Sequence, residues 1–563
     1  MTEPSAPIAE NPSASRAARI GWAILIVATL YVCYFSHLGA IGFAGPDEPR
    51  YAWIARDMAE TGDWVTPRLY GKPWFEKPPL FYWAAAASFK LFGVSEAAAR
   101  LPSAISALLA TLTLAWLALR LYGAETARWL LLLLPTTVGM IGFSHAAATD
   151  MPFSAMLTIA MVCAAVVLGL TRNENTTVLP RTPWLALILF GFFLGAAVLA
   201  KGPAGIILTG GAVFFWALFT KRWRDAFRLL HPVAIASFCL TALPWYILCA
   251  RRNPDFFRIF IIEHNFKRFL TPEFQHIQPF WFYVPVLLVA FLPWTALFLS
   301  SSVRGVLHLW RTRRFKETTW FLIWWAGFCV VFFSISQSKL PGYILPAVPA
   351  IVMLIAHDFN GRLREGFSQV RWLCMGGSLT LVAVGMAAGL LSERIPFVTS
   401  NRPASAVIEF YVLMTVAGIA VGILTVLRKP VAALVLTAVV IPIFLILGNA
   451  DLSELDAGVS ARPAVARTKR CFPQEQIESA ATYRLPRAAK FALNFYFHRE
   501  LMDWAPPGGR RTIIFTTQNG SQELKQMRIE CVVYSANPAV EICVDSISPI
   551  SLGKNCPDKE EPQ

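Results

Sequence analysis

Charge is scarce in this sequence. Asp, Glu, Lys and Arg make up 15% of its 563 residues, where soluble domains carry about 25%. An ordinary water-soluble fold is therefore excluded. Nucleotide-binding glycine motifs are missing as well: neither G-x-x-x-x-G-K-[ST] nor a G-x-G-x-x-G after a strand occurs. No internal repeat stands out, and no low-complexity tract beyond the polar N-terminus.

What fills the chain is apolar. Hydrophobic residues account for 56% of it, gathered in runs close to the roughly 20 residues that span a bilayer. About thirteen such runs are expected, near 20–38, 100–121, 126–143, 151–170, 184–200, 203–219, 230–250, 280–300, 318–336, 341–357, 371–391, 407–427 and 431–448. The first is long for a signal peptide and is followed by more spans, so it reads as an uncleaved anchor.

The formal charge of +15 is a topology signal. Numbering the runs alternately from an inside N-terminus puts Arg16 and Arg19, Arg120 and Arg128, and Arg172 and Arg181 in inside loops. Lys221, Arg222, Arg224 and Arg228 follow, then Arg311 to Lys316, Arg362 and Arg364, and Arg428 and Lys429. The short outside links are nearly bare of Lys and Arg, which is the positive-inside bias. That placement argues against a nucleic-acid partner. It leaves no inside loop long enough for a cytosolic domain.

Three domains are expected: a cytoplasmic tail over 1–19, a membrane domain over 20–449, and an outside α/β domain over 450–563. Long outside loops interrupt the membrane domain at 39–99 and 251–279. Tyr51, Ile54, Ala55 and Met58 recur at helical spacing, so Glu48–Met58 reads as a short interfacial helix. Pro78–Gly93 and Asn253–Phe269 read as two more. In the tail, "RRTIIFTT" and "IECVVYSA" read as strands and "SQELKQMR" as a helix. Of ten cysteines, six lie in or near spans, while Cys471, Cys531, Cys543 and Cys556 are in the tail. An outside domain favours disulfides among those four.

The same topology gathers the unusual polar residues on one face. Asp47 and Glu48 in "GPDEPRYAW", Lys77 in "FEKPP", Asp150 in "ATDMPF", Lys201 in "AKGP", Glu263 and His264 in "EHN", and Lys339 and Tyr343 in "SKLPGY" all fall outside. Ionisable groups at membrane depth mark function by default. Each also has a structural reading. Asp47 and Asp150 precede a Pro by two residues, an N-cap pattern. Lys201 and Lys339 suit snorkelling, His264 suits packing, and Glu263 suits a pair with Lys267. Taken singly those readings suffice. They do not explain why acids and bases converge on one face. A compartment without nucleotides needs an activated substrate delivered through the membrane. A lipid phosphate carrying a transferable group meets that need, with Lys and Tyr side chains on its oxygens and a carboxylate to orient or deprotonate an acceptor.

"GPDEPRYAWIARDMAETGDWVTPRLYGKPWFEKPPLFYW", "SHAAATDMPF", "AKGP", "IIEHNFKRF" and "SKLPGYILPAVP" resemble, in order, the motifs of GT-C membrane glycosyltransferases. The likeness is to the bacterial aminoarabinose transferase and protein mannosyltransferase-like group, over about residues 20–360. It implies an all-α polytopic protein of the bacterial inner membrane. It implies inverting transfer of a sugar from a polyprenyl-phosphate donor to an acceptor at the outer face: a lipid such as lipid A, a protein or another cell-surface glycan. By motif, Asp47 is the catalytic candidate, with Glu48 beside it and Asp150 in support. Lys77 and Tyr343 are the donor-phosphate candidates, joined by Arg50, Lys339 and Lys201. Glu76 and His264 match positions where a divalent metal is a possibility. A transporter or flippase is the rival reading, but transporters favour repeats and midplane sites. A scaffold that only binds lipid phosphate is a third.

Overall fold

The computed structural model describes residues 12–171, 182–267, 277–391, 404–447, 452–505, 512–527, 529 and 540–545. Helices dominate. In chain order they begin α1 (Pro12–Phe35), α2 (Asp47–Thr61), α3 (Leu80–Phe92), α4 (Glu96–Tyr122), α5 (Ala124–Leu133), α6 (Val138–Ser144), α7 (Asp150–Val167), α8 (Trp184–Lys201), α9 (Ala204–Thr220), α10 (Trp223–Phe227) and α11 (Pro232–Arg252). They continue with α12 (Tyr283–Ala290), α13 (Thr295–Thr312), α14 (Glu317–Ile335), α15 (Val348–Glu365), α16 (Phe367–Leu391), α17 (Ala404–Val426) and α18 (Pro430–Leu447).

Helices lie on all thirteen expected runs. Among the described residues, ten are long and apolar enough to cross a membrane, or eleven if α5 and α6, bent by 63°, count as one span. The other two runs fall short for visible reasons. α9 has 17 residues. The run at 280–300 breaks at Phe291–Trp294, between α12 and α13. α7 is the central helix and the most buried of the spans, while α1 and α11 are mostly exposed on the outside of the bundle. Glycine sets the tightest helix contact. A Cβ on Gly191 of α8 would lie 2.1 Å from the Ala234 carbonyl of α11, the close backbone approach that small residues permit in membranes.

The first long loop is structured. Asp47 and Glu48 occupy the first turn of α2, where the helix dipole favours acids, and Gly62 ends it in the left-handed conformation at φ 74°. A two-residue hairpin, β1 (Arg68–Leu69) and β2 (Lys72–Pro73), follows. The expected third interfacial helix is a π-helix over Arg258–Lys267. The two loops dock together. Phe75 meets Phe256 with ring centroids 5.2 Å apart, Trp245 donates to the Val65 carbonyl at 2.9 Å, and Asn253 donates to Thr66 at 3.0 Å.

The tail forms the expected small α/β unit. Its sheet runs β4 (Met502–Asp503), β3 (Ala481–Thr482), β5 (Thr512–Thr516), β6 (Glu541–Asp545), with β6 the antiparallel member. Helices α19 (Leu452–Val459), α20 (Arg462–Cys471), α21 (Gln474–Glu478), α22 (Arg487–Phe497) and α23 (Gln518–Gln526) complete it. The expected strand "IECVVYSA" lies, but for Ile529, outside the described residues; β6 was not anticipated. Cys471 and Cys543 are disulfide-bonded, while Cys531 and Cys556 lie outside the described residues.

Candidate functional site

The residues singled out in sequence come from five distant segments, and contacts gather most of them into small groups at one end of the bundle. Asp47 accepts from Arg50 Nη2 at 2.5 Å, and the other Arg50 nitrogen, Nη1, reaches Glu76 at 3.0 Å. Three rings surround that guanidinium: Tyr51 at 5.2 Å, Trp74 at 5.6 Å and Phe491 of the tail at 5.8 Å. Burial dominates at Asp47 and lifts its pKa above the usual aspartate value; Arg50 and Lys77 oppose the rise, while Glu76 and Asp150 add to it. Lys77 and Asp150 thus lie within electrostatic reach of Asp47.

Asp150 opens α7 and forms an ion pair with Lys201, the last residue of α8. The Lys201 ammonium lies 4.4 Å from the Tyr343 ring centroid. Gly342 packs directly on Asp150: a Cβ there would stand 2.7 Å from Oδ1. Three helix ends, those of α7, α8 and the 3-10 turn Pro341–Ala347 before α15, thus meet at one carboxylate. The N-cap reading fails for both acids. Pro46 and Thr149 hold the cap positions, without side-chain capping bonds, and the acids sit one residue inside, paired with cations.

Glu48 departs from the catalytic expectation. Arg100 of α4 donates to its two oxygens from Nε and Nη2, both at 2.8 Å. The backbone N–H groups of Ala44 and Ala147 add bonds at 2.9 and 2.7 Å. Arg100 also donates to the carbonyls of Leu38, Ile41 and Gly42. A carboxylate so committed ties the start of α2 to the strand of chain leading into Asp150. Lys339 is likewise anchored, donating to the carbonyls of Gln278 at 2.9 Å and Ser336 at 2.6 Å, and burial lowers its pKa. It holds the turn before Tyr343 against the second loop. Glu263 pairs with Arg258 at 2.7 Å.

The metal possibility at Glu76 and His264 gains no support among the described residues. The Glu76 carboxylate is committed to Arg50. Among the described residues no group of three or more His, Cys, Asp and Glu is placed to hold an ion.

Sequence reasoning missed the scaffold of this site. Arg100 stands at the start of an apolar run and is 5% exposed; a lone arginine in "EAAARLPSAI" is its signal. Arg462, Tyr496 and Asp456 of the tail carry no such mark, yet they pin Gly39 to Phe43 and Glu96.

Beside Gly342 and Asp150 lies an apolar groove of about 510 Å³. It is lined by Val138, Phe143, Phe282, Val286, Ile344 and Val348, among others. Phe143 is the ring that packs on Gly342, so the groove opens next to the polar cluster.

Comparison with known proteins gives the family. The family model for dolichyl-phosphate-mannose-protein mannosyltransferase matches residues 20–260. The undecaprenyl phosphate-alpha-4-amino-4-deoxy-L-arabinose arabinosyl transferase of Serratia proteamaculans is 32% identical over 395 residues, 69% of each chain. That of Aeromonas salmonicida is 31% identical over 373 residues, 66% of this chain and 65% of its own length. The match thus spans about two thirds of these relatives. The crystal structure of ArnT from Cupriavidus metallidurans bound to undecaprenyl phosphate superposes with a TM-score of 0.77 at 23% identity, covering 94% of this chain and 98% of that one. The fold is shared over nearly the whole length.

Proposed function

Because this chain belongs to the GT-C membrane glycosyltransferase family that contains the undecaprenyl phosphate-aminoarabinose arabinosyl transferases, we propose that it moves a sugar from a polyprenyl-phosphate donor to an envelope acceptor such as lipid A. One observation carries the reading. Acids and cations from three segments lie within electrostatic reach of one another beside an apolar groove. A long apolar lipid ending in a charged phosphate has that same division.

In this reading the isoprenoid tail lies in the groove and its phosphate faces Lys77, Lys201 and Tyr343. The acceptor oxygen attacks the anomeric carbon as the bond to the phosphate oxygen breaks. The lipid phosphate leaves with the electron pair, and the cations stabilise its charge. Asp47 orients the acceptor and takes its proton where that acceptor is a hydroxyl; a phosphate acceptor needs no base. The raised pKa of Asp47 brings it closer to the working range of such a base. Asp150 keeps Lys201 in place, and Glu48 with Arg100 keeps the two acids in register. The distribution of Lys and Arg supports an inner-membrane orientation with this end and the tail domain at the periplasmic face, and residues 1–19 in the cytoplasm.

The test is mass spectrometry of envelope glycolipids and glycoproteins from cells with the gene, without it, and with Asp47→Asn. A sugar-modified lipid or protein should be present only with the wild-type gene. Full product from Asp47→Asn, expressed at the wild-type level, would remove Asp47 from the chemistry. No difference between the cells with and without the gene, donor being present, would remove the transferase reading.

A further inference from the structure

We propose that a second lipid site, for an anionic phospholipid, lies at the opposite end of the bundle from Asp47. A cavity of about 380 Å³ opens between α8, α9, α10 and α11, and its walls are almost wholly apolar. Its origin is helix packing. Gly191 and Gly195 let α8 and α11 touch backbone to backbone, while Gly210 of α9 has nothing within 4 Å of where its Cβ would be. α9 thus stands off from α11 and leaves a lane. Ile206, Gly210, Val213 and Phe214 line it along α9. Ile206 and Phe214 are eight residues apart, about 12 Å along a helix. A lane that long and that apolar fits an acyl chain better than a compact solute.

Its far end says which lipid. α9 runs away from Lys201, so the turn after it is at the other end. There Trp223 and Phe227 of α10 and Leu230 close the floor of the lane. Beside them in sequence are Lys221, Arg224 and Arg228, all exposed. The acidic groups nearby are Asp225 and Glu317. Arg222 pairs with both, and Arg228 pairs with Asp225 at 2.8 Å. Lys221 and Arg224 make no ion pair among the described residues. Two cations without an ion pair among the described residues, next in sequence to the walls of an apolar lane, match one phosphodiester headgroup with its chain inside. A cation at a membrane surface favours an anionic lipid by about 1 kcal/mol, or roughly fivefold.

The experiment is native mass spectrometry of the full chain in detergent. It is titrated with phosphatidylglycerol and, separately, with phosphatidylcholine of the same acyl chains. Wild-type protein should retain the anionic lipid at least about fivefold better. Lys221→Gln with Arg224→Gln should bring the two lipids level, and Gly210→Leu, which fills the lane, should cut retention of phosphatidylglycerol about tenfold. Equal retention of the two lipids by wild-type protein would overturn the proposal, as would undiminished retention by Gly210→Leu. Displacement of the bound phosphatidylglycerol by equimolar undecaprenyl phosphate would assign the lane to the donor and overturn it too. The surface double variant keeps the test open if Gly210→Leu does not fold.

Discussion

A single methyl group at Gly342 tests whether the position of the Asp150 carboxylate matters. Its Cβ would stand 2.7 Å from Asp150 Oδ1, 2.8 Å from Asp150 Cγ and 2.8 Å from a ring carbon of Phe143. Carbon pairs in contact sit at about 3.5–4.0 Å, so Gly342→Ala requires the carboxylate, the ring or both to move by roughly 0.7 Å or more. The backbone at Gly342 is not among the left-handed positions, so alanine itself is tolerated. Overpacking of this kind costs about 1–3 kcal/mol, which leaves a folded protein. The displaced carboxylate, however, takes Lys201 with it, and Lys201 lies on the ring of Tyr343. A misplacement near 1 Å costs about a hundredfold in rate. Gly342→Ala should therefore fold and melt near wild type while transfer in reconstituted vesicles falls roughly one hundredfold. Asp150→Asn is the control. Unchanged transfer by Gly342→Ala alongside an inactive Asp150→Asn would refute positioning by Gly342. Unchanged transfer by both would refute a role for the carboxylate.

The acid limb of the transfer rate should lie above that of a free aspartate, near pH 3.9, because burial raises Asp47 and its carboxylate is the form that accepts a proton. Arg50→Gln removes a charge that holds that pKa down, so the limb should move to higher pH; a limb that stays or moves down in pH–rate profiles would contradict the assignment. The sign for stability is opposite to that of an acid whose pKa is lowered on folding. The folded state binds the extra proton, so the contribution of Asp47 to stability falls as pH rises from the unfolded pKa through the raised one. Glu48→Ala leaves Arg100 buried without its partner, which costs about 3–5 kcal/mol; thermal unfolding in detergent should show a large loss, and a melting temperature unchanged within error would refute the brace.

Hydropathy made the spans legible because each is a local pattern, and the charged loop residues stood out against it. The short α9 and the break at Phe291–Trp294 were not legible, since composition there stays apolar while the helix path changes. The acids and lysines of the site were legible as types in unusual places. Their partners were not. Glu48 and Arg100 are 52 residues apart, Asp150 and Lys201 are 51 apart, and nothing local says that Glu48 turns inward while Asp47, one residue before it, pairs with Arg50. Lys339 shows the same limit: a lysine in a Pro-Gly turn has the signal of an anion ligand, and carbonyl oxygens take it instead.

The tail domain looked like an appendage in sequence, and the bonding makes it part of the site. Arg462 donates to the carbonyls of Gly39 and Ala40, Asp456 accepts from the N–H of Gly42, and Tyr496 meets both Phe43 and Glu96. The carbonyl of that same Gly42, with those of Leu38 and Ile41, accepts from Arg100. A continuous polar path therefore runs from the tail through the 38–43 turn and Arg100 to Glu48 and the first turn of α2. Phe491 adds a direct contact, its ring covering the Arg50 guanidinium that holds Asp47. Low-dielectric networks of this kind favour full satisfaction, and a half-broken one costs more than its bonds contribute. Lifting the tail would strand backbone amides and Glu96 at once. Substrate entry by that route is therefore disfavoured, and the groove beside Asp150, lined wholly by apolar residues, is the route along which the lipid donor enters in the proposed mechanism.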